Sequence, residues 1–134
     1  MEIVKVRYLD KLSCSAIHLD SSTEISTSAP KDNNGDGSSF SPTDLLCTAL
    51  ATCCITIMGI AASKREISMK NVSCTVEKVM ASAPRRVSKI VLNFKIAEAW
   101  SENERKLMEQ AARSCPVMLS LHPDTEKELV FNYE

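Results

Sequence analysis

Leu45 to Ala62 is a run of eighteen residues without one charged side chain, and a chain of only 134 residues has few ways to accommodate it. As a helix it reaches the short edge of what spans a bilayer. Against that use, Thr48, Thr52 and Thr56 form a polar stripe at i, i+4 and i+8, and the rest of the chain reads as amphipathic sheet with no second span. The run therefore predicts the core helix of a water-soluble protein, apolar on nearly all faces because it is buried, and no membrane partner. With six aromatic residues in the whole chain (one Trp, two Tyr, three Phe), a single protomer is hard put to wrap such a helix. An intertwined homodimer is expected to bury the remainder.

The flanks of the run define its ends. Ser41 suits an N-cap, Pro42 the first helical position, and Asp44 stands three residues after the cap, where a carboxylate favours the helix dipole. A helix over 42–62 follows. Before it, residues 2–8, 13–19 and 22–28 are short β-branched or alternating runs that read as strands, and 29–40, rich in Asn, Asp, Gly and Ser, reads as a loop. After it, 67–80 and 85–97 predict a long hairpin across "ASAP". Ser101-Glu-Asn-Glu makes a capping box for a second helix, whose apolar positions Leu107, Met108, Ala111, Ala112 and Cys115 recur at helical spacing. Pro116 starts a separate short helix that Pro123 stops, and "KELVFNY" closes the chain as a strand. The order βββαββααβ is an α+β plan: one domain over 1–134, with an antiparallel sheet around a long apolar central helix.

Charge and cysteine usage exclude several function classes. Sixteen basic residues against seventeen acidic ones leave a net charge of −1 with no basic block, so nothing draws the chain to nucleic acid or an anionic membrane. "MEIVKVRYLD" alternates apolar and charged residues and lacks the layout of a secretory signal, which makes the cytoplasm the expected location. Six cysteines at this length, without an export signal, are expected to be reduced thiols rather than a disulfide framework. No C-x-x-C pair occurs, and the two histidines are distant in sequence, so no metal and no other cofactor is expected.

Cys53 and Cys54 are adjacent inside the apolar run. Neighbours on a helix point about 100° apart, so the two thiols are expected to occupy different environments. Cys54 shares a stripe with Cys47, Leu50 and Met58, and reads as a small core hydrophobe. Cys53 shares its stripe with Leu46, Ala49, Ile57 and Ile60. Periodicity alone leaves open whether either thiol is reactive, because a free buried cysteine is usually inert.

"FSPTDLLCTALATCCITIMGIAA" followed some sixty residues later by "CPVMLSLHPD" resembles the OsmC/Ohr family, the osmotically inducible and organic hydroperoxide resistance proteins. The resemblance covers nearly the whole chain and places it in the OsmC-like branch. It implies that Cys53, directly after Ala51-Thr52, is the peroxidatic cysteine, and that Cys115, before Pro-Val, is the resolving one. It also implies the reaction: a thiol-dependent reduction of organic hydroperoxides in oxidative-stress defence. The Cys53 thiolate becomes a sulfenic acid that condenses with Cys115, and a lipoyl-type or other small dithiol resets the pair. Cys14, Cys47, Cys54 and Cys74 have no counterpart role.

Two family positions differ in this chain. The family's thiolate-activating Arg lies in the loop before the central helix, held by a Glu near the helix start; here no Arg occurs between Arg7 and Arg65, and Thr43 stands at the Glu position. Arg85 and Arg86 are the candidate substitutes, within the protomer or across the dimer interface, with Asp44 as a candidate orienting group. Each also has an ordinary structural reading: solvated or surface-paired arginines, and a first-turn acid. His122 reads as a residue of the short helix, and Lys64 and Arg65 as complements to the dipole of the central one. The competing functions are a non-catalytic dimer that binds a small apolar ligand in an interface pocket, and a redox sensor that uses the same two cysteines.

Overall fold

The computed structural model describes residues 1–134. It falls into two compact units, Met1–Leu46 and Cys47–Glu134.

The first unit is an antiparallel meander of β1 (Val4–Asp10), β2 (Ser13–His18) and β3 (Glu24–Ser28), in that spatial order. Its strands sit within two or three residues of the predicted runs. The β1–β2 turn is tight, with Asp10, Lys11 and Leu12 all at positive φ, and the β2–β3 pair is tied by Ser15 Oγ donating to Glu24 Oε1 at 2.7 Å. All seven residues of β1 are exposed. The 29–40 loop contains a single 3-10 turn, Lys31–Asn33. Gly35 is required beyond it, because a Cβ there would lie 1.8 Å from the Ala29 carbonyl oxygen. Ser41 and Asp44 then start the long helix α1 (Pro42–Ser63) as a reciprocal cap. Asp44 N–H donates to Ser41 Oγ at 3.0 Å, and Ser41 N–H donates to Asp44 Oδ2 at 2.9 Å, so two otherwise orphaned amides are satisfied.

The second unit takes up the rest of α1 and adds β4 (Val72–Ala81), β5 (Arg86–Ile96), α2 (Glu102–Arg113), α3 (Pro116–Ser120) and β6 (Glu126–Tyr133). β4 and β5 form the predicted antiparallel hairpin. Its first strand begins at Val72 rather than at 67, because the ladder ends where Val72 faces Ile96 and only Asn71, whose carbonyl accepts from Ala97 N–H, still meets the chain beyond β5. Residues 67–69 pack instead: Ile67 and Met69 lie against the core, and the Ser68 carbonyl accepts from Trp100 Nε1 at 2.8 Å. β6 pairs with β5 in parallel, so this sheet, in the order β4-β5-β6, is mixed rather than wholly antiparallel. A parallel return needs a crossover of a dozen or more residues, and α2 with α3 forms it.

The core of this unit is one cluster. Leu50, Cys54 and Met58 from α1 join Ile90, Leu92, Phe94 and Ile96 from β5, with Met108, Ala112 and Cys115 beside them. Phe94 is fully buried and stacks on Phe131 of β6, with ring centroids 4.7 Å apart. α2 begins with the predicted capping box: Ser101 Oγ accepts from Glu104 N–H, and the Glu104 carboxylate accepts from Ser101 N–H.

Replacing Phe94 by Ala should therefore cost about 3–5 kcal/mol of unfolding free energy. Ser101→Ala, which removes one cap bond, should cost about 1 kcal/mol. Urea titrations of the two variants against the unaltered protein measure both.

Candidate functional site

The two stripes of α1 have different fates. Cys47, Leu50, Cys54 and Met58 are all buried. On the other stripe Leu46 and Ile60 are exposed, while Ala49, Cys53 and Ile57 are half-buried. Cys53 thus sits on the more open side of a helix whose opposite side is core.

Cys115 approaches from a distant part of the chain. α2 stops at Arg113, two residues before the last of the apolar positions, and Cys115 becomes the N-cap of α3 with an extended backbone. Its Sγ accepts from Met118 N–H at 3.4 Å, and Pro116 occupies the first helical position, where its missing N–H has no cost. The side chain is fully buried. This places its thiol beside Cys53, as a side-chain hydrogen-bond partner, and the Cys53 sulfur also accepts from the backbone N–H of Val117. A half-buried thiol and a buried one, from two separate elements, therefore meet at the start of α3.

Cys115 also meets Cys54. Burial first, and then the neighbouring Cys115, Cys53 and Cys74, make ionisation of the Cys54 thiol less favourable. The expectation that adjacent thiols on a helix have separate environments holds for their burial and fails for their neighbour. The sequence reads Cys54 as a small core hydrophobe, and the structure buries it fully in the core.

The electrostatics of the cluster oppose ionisation. Burial pushes the Cys53 thiol up, Cys115 adds to that, and the Val117 amide opposes it. Burial is also the main cause for Cys54, which is pushed up strongly, and for Cys74 on β4, pushed up to about 11 against an opposing backbone hydrogen bond at Asn93. None of the groups that shift Cys53 is a cation.

The arginine candidates lie on the β4–β5 turn. Arg86 Nη1 donates to the carbonyls of Ser82 and Pro84, at 3.3 and 2.8 Å, which ties its guanidinium to its own turn. Arg85 is exposed beside it. Arg86 and His122 line one open surface groove of about 380 Å³ with Asp124 and Thr125. His122 does not join α3; it is an exposed turn residue whose Nδ1 accepts from Asp124 N–H at 3.0 Å. Asp44 caps α1 as described. All six cysteines are free thiols, and no group of three or more His, Cys, Asp or Glu side chains is arranged to hold a metal ion.

The raised thiols make stability depend on pH in one direction. A thiol whose folded pKa lies above its unfolded value of about 9 keeps its proton in the native state when the unfolded chain has lost it. Its contribution is complete below pH 9 and is lost as pH rises, for Cys74 through about 11. Cys54→Ala and Cys74→Ala should each flatten the fall of the urea midpoint between pH 8 and pH 10.5. Titrations at several pH values, each variant against the unaltered protein, measure the difference.

A family model described as OsmC-like protein matches residues 35–129. A comparison with curated protein sequences returns no match. Among solved structures, a Psychrobacter arcticus 273-4 protein assigned to osmotic stress induction and detoxification response is 43% identical, with a TM-score of 0.95 over 98% of this chain and 96% of that one. An OsmC-like protein from Mycoplasma pneumoniae is 20% identical, with a TM-score of 0.77 over 98% and 94% of the two chains. An organic hydroperoxide resistance protein OsmC from Legionella pneumophila is 18% identical, with a TM-score of 0.77 over 98% and 96%. The last two share the fold, while the family model and the Psychrobacter protein match in sequence: this chain belongs to the OsmC-like family.

Proposed function

We propose that this protein is a thiol peroxidase that reduces organic hydroperoxides, with Cys53 as the attacking thiolate and Cys115 as the resolving thiol. The observation that carries the reading is the meeting of these two sulfurs, one half-buried and one buried, from elements some sixty residues apart. Cys53 on the open stripe of α1 can be reached by a substrate, and the apolar helix around it suits a fatty or aromatic peroxide. The thiolate attacks the outer peroxide oxygen, the alcohol leaves, and Cys115 condenses with the resulting sulfenic acid to give a disulfide and water. A small lipoyl-type dithiol then restores both thiols by exchange. The family membership and relatives named for organic hydroperoxide resistance support the same reading.

The working form in this proposal is a homodimer in the cytoplasm. α1 is long and apolar enough to cross a membrane, but a third of its span is buried inside the protein. Its open stripe and the exposed Val4, Val6 and Tyr8 of β1 are apolar surface for a second copy to cover. The partner would also bring the cation that Cys53 lacks. Arg85 and Arg86, adjacent on the β4–β5 turn, are the proposed sources, with Asp44 as the orienting carboxylate.

Cumene hydroperoxide consumption with dihydrolipoamide as reductant tests the proposal. Cys53→Ser should lower kcat/KM by at least about a hundredfold. Cys115→Ser should consume one equivalent and leave a sulfenic acid on Cys53 that dimedone traps.

Replacing Arg85 and Arg86 together by Ala should lower kcat/KM about tenfold or more and move the pH–rate profile to higher pH, because the thiolate loses its counter-charge. Sedimentation should give twice the 14.7 kDa of one chain for this double variant. One observation favours the non-catalytic, ligand-binding alternative: burial raises Cys53 and no cation within the chain opposes it. A dimer without turnover whose Cys53 titrates above the ordinary thiol range would establish that alternative.

A further inference from the structure

The chain holds one tryptophan and two tyrosines, and two of these three oxidisable rings stand together. Trp100, almost wholly buried, meets the half-buried Tyr133 edge-on, with ring centroids 6.3 Å apart and planes at 67°. The Tyr133 phenol donates to the Glu109 carboxylate. The Arg105 guanidinium lies over the Tyr133 ring, its Cζ 4.0 Å from the centroid. The thiol chemistry uses none of these groups.

Each contact bears on how the rings lose an electron. A cation over an aromatic face is held by the ring's electron density, so Arg105 opposes any positive charge left on the Tyr133 ring. Tyr133 is therefore oxidised most readily when the phenol proton leaves with the electron, and Glu109 is a base within hydrogen-bond reach of that proton. Burial first, and the Glu109 carboxylate next, keep the proton on the phenol until then. Trp100 has no such base. Its Nε1 donates to the Ser68 backbone carbonyl at 2.8 Å, which accepts a hydrogen bond but does not take up the proton. The exposed Tyr8 lacks one as well, since its oxygen accepts from Leu12 N–H.

We propose that Trp100 and Tyr133 form a one-electron oxidation site that quenches alkoxyl radicals, the products of homolytic O–O cleavage in an organic hydroperoxide, with Tyr133 ending as the radical and Glu109 as its proton acceptor. The alkoxyl radical takes one electron from the phenol, directly or through Trp100, and a proton from water, and leaves as the alcohol. The phenol proton passes to Glu109, which gives a neutral phenoxyl radical. Glu109 then releases that proton to neutralise the hydroxide formed, so one hydrogen atom in all moves from phenol to alcohol. A small enediol, as hydrogen-atom donor, restores the phenol. The site needs neither Cys53 nor Cys115, so it stands or falls apart from the peroxidase reading.

Pulse radiolysis with the azide radical, which oxidises the indole first, tests the direction of transfer. The indolyl absorption should decay as the phenoxyl absorption rises, at a rate independent of protein concentration. Tyr133→Phe, which keeps a ring beneath Arg105, should lengthen the life of the indolyl radical about tenfold or more, and Glu109→Gln should slow the transfer about tenfold or more. Transfer that survives Tyr133→Phe and is lost in Tyr8→Phe would overturn the inference, as would an unchanged rate in Glu109→Gln. One comparison needs no variant: transfer in the unaltered protein should be about twofold slower in heavy water, because a proton moves with the electron, and equal rates would overturn the role of Glu109.

A second arm uses the alkoxyl radical itself, made from cumene hydroperoxide and ferrous ion, with Cys53→Ser protein so that the candidate nucleophile takes no part. Freeze-quenched samples should show a phenoxyl resonance in electron paramagnetic spectra, and adding Tyr133→Phe should weaken it about fivefold or more. Equal signals would overturn the inference. A full signal from a protein that consumes no peroxide with dihydrolipoamide would support it and overturn the peroxidase reading.

Discussion

Burying one side of a helix that has no charge beyond its first turn is the constraint from which the rest of this structure follows. A helix this apolar cannot be left in water, and β5 meets it with four fully buried apolar side chains at Ile90, Leu92, Phe94 and Ile96. Each fixed stripe on α1 also fixes its opposite. Once Cys47, Leu50, Cys54 and Met58 face the core, the geometry of 3.6 residues per turn turns Leu46 and Ile60 outward and leaves Cys53 at the boundary. The position of the candidate nucleophile is thus a by-product of packing. It needs no loop or strained backbone to hold it.

The same burial works against the chemistry it positions. An apolar setting disfavours a thiolate, and two sulfurs beside one another disfavour it further, as the direction of the shift at Cys53 reflects. The chain opposes this with backbone amides at the start of α3: Val117 N–H toward Cys53 and Met118 N–H toward Cys115. An amide carries a partial charge and a guanidinium a full one, so these contacts moderate the penalty without reversing it. A full counter-charge has to come from outside the set of groups that now shift Cys53, which is why the proposed dimer and the proposed activity stand together.

Much of this organisation is legible in the residues, because the informative signals are local. Ser41, Pro42 and Asp44 mark the start of α1 by their own hydrogen-bonding and torsional preferences, and the cap they form is the expected one. Ser101 and Glu104 do the same for α2. What the residues do not carry is pairing. The run 67–71 has strand-like alternation but is no strand, since a strand exists only where a partner continues, and β5 ends at Ile96. The direction of β6 is likewise set by the crossover through α2 and α3, not by anything within "KELVFNY". At the site, the stripe arithmetic separates Cys53 from Cys54 by burial. It cannot locate Cys115 relative to the edge between them, because that depends on where α2 stops and α3 starts.

That edge changes what two adjacent cysteines mean. Side by side on a helix they are usually read as one functional residue and one filler, since their side chains diverge. Divergence of about 100° still leaves a sector between them, and a third sulfur in that sector is near to both. In this chain the two positions grade from the half-open Cys53 to the enclosed Cys54, so the burial that makes the helix fold also decides which of two adjacent thiols a substrate can meet.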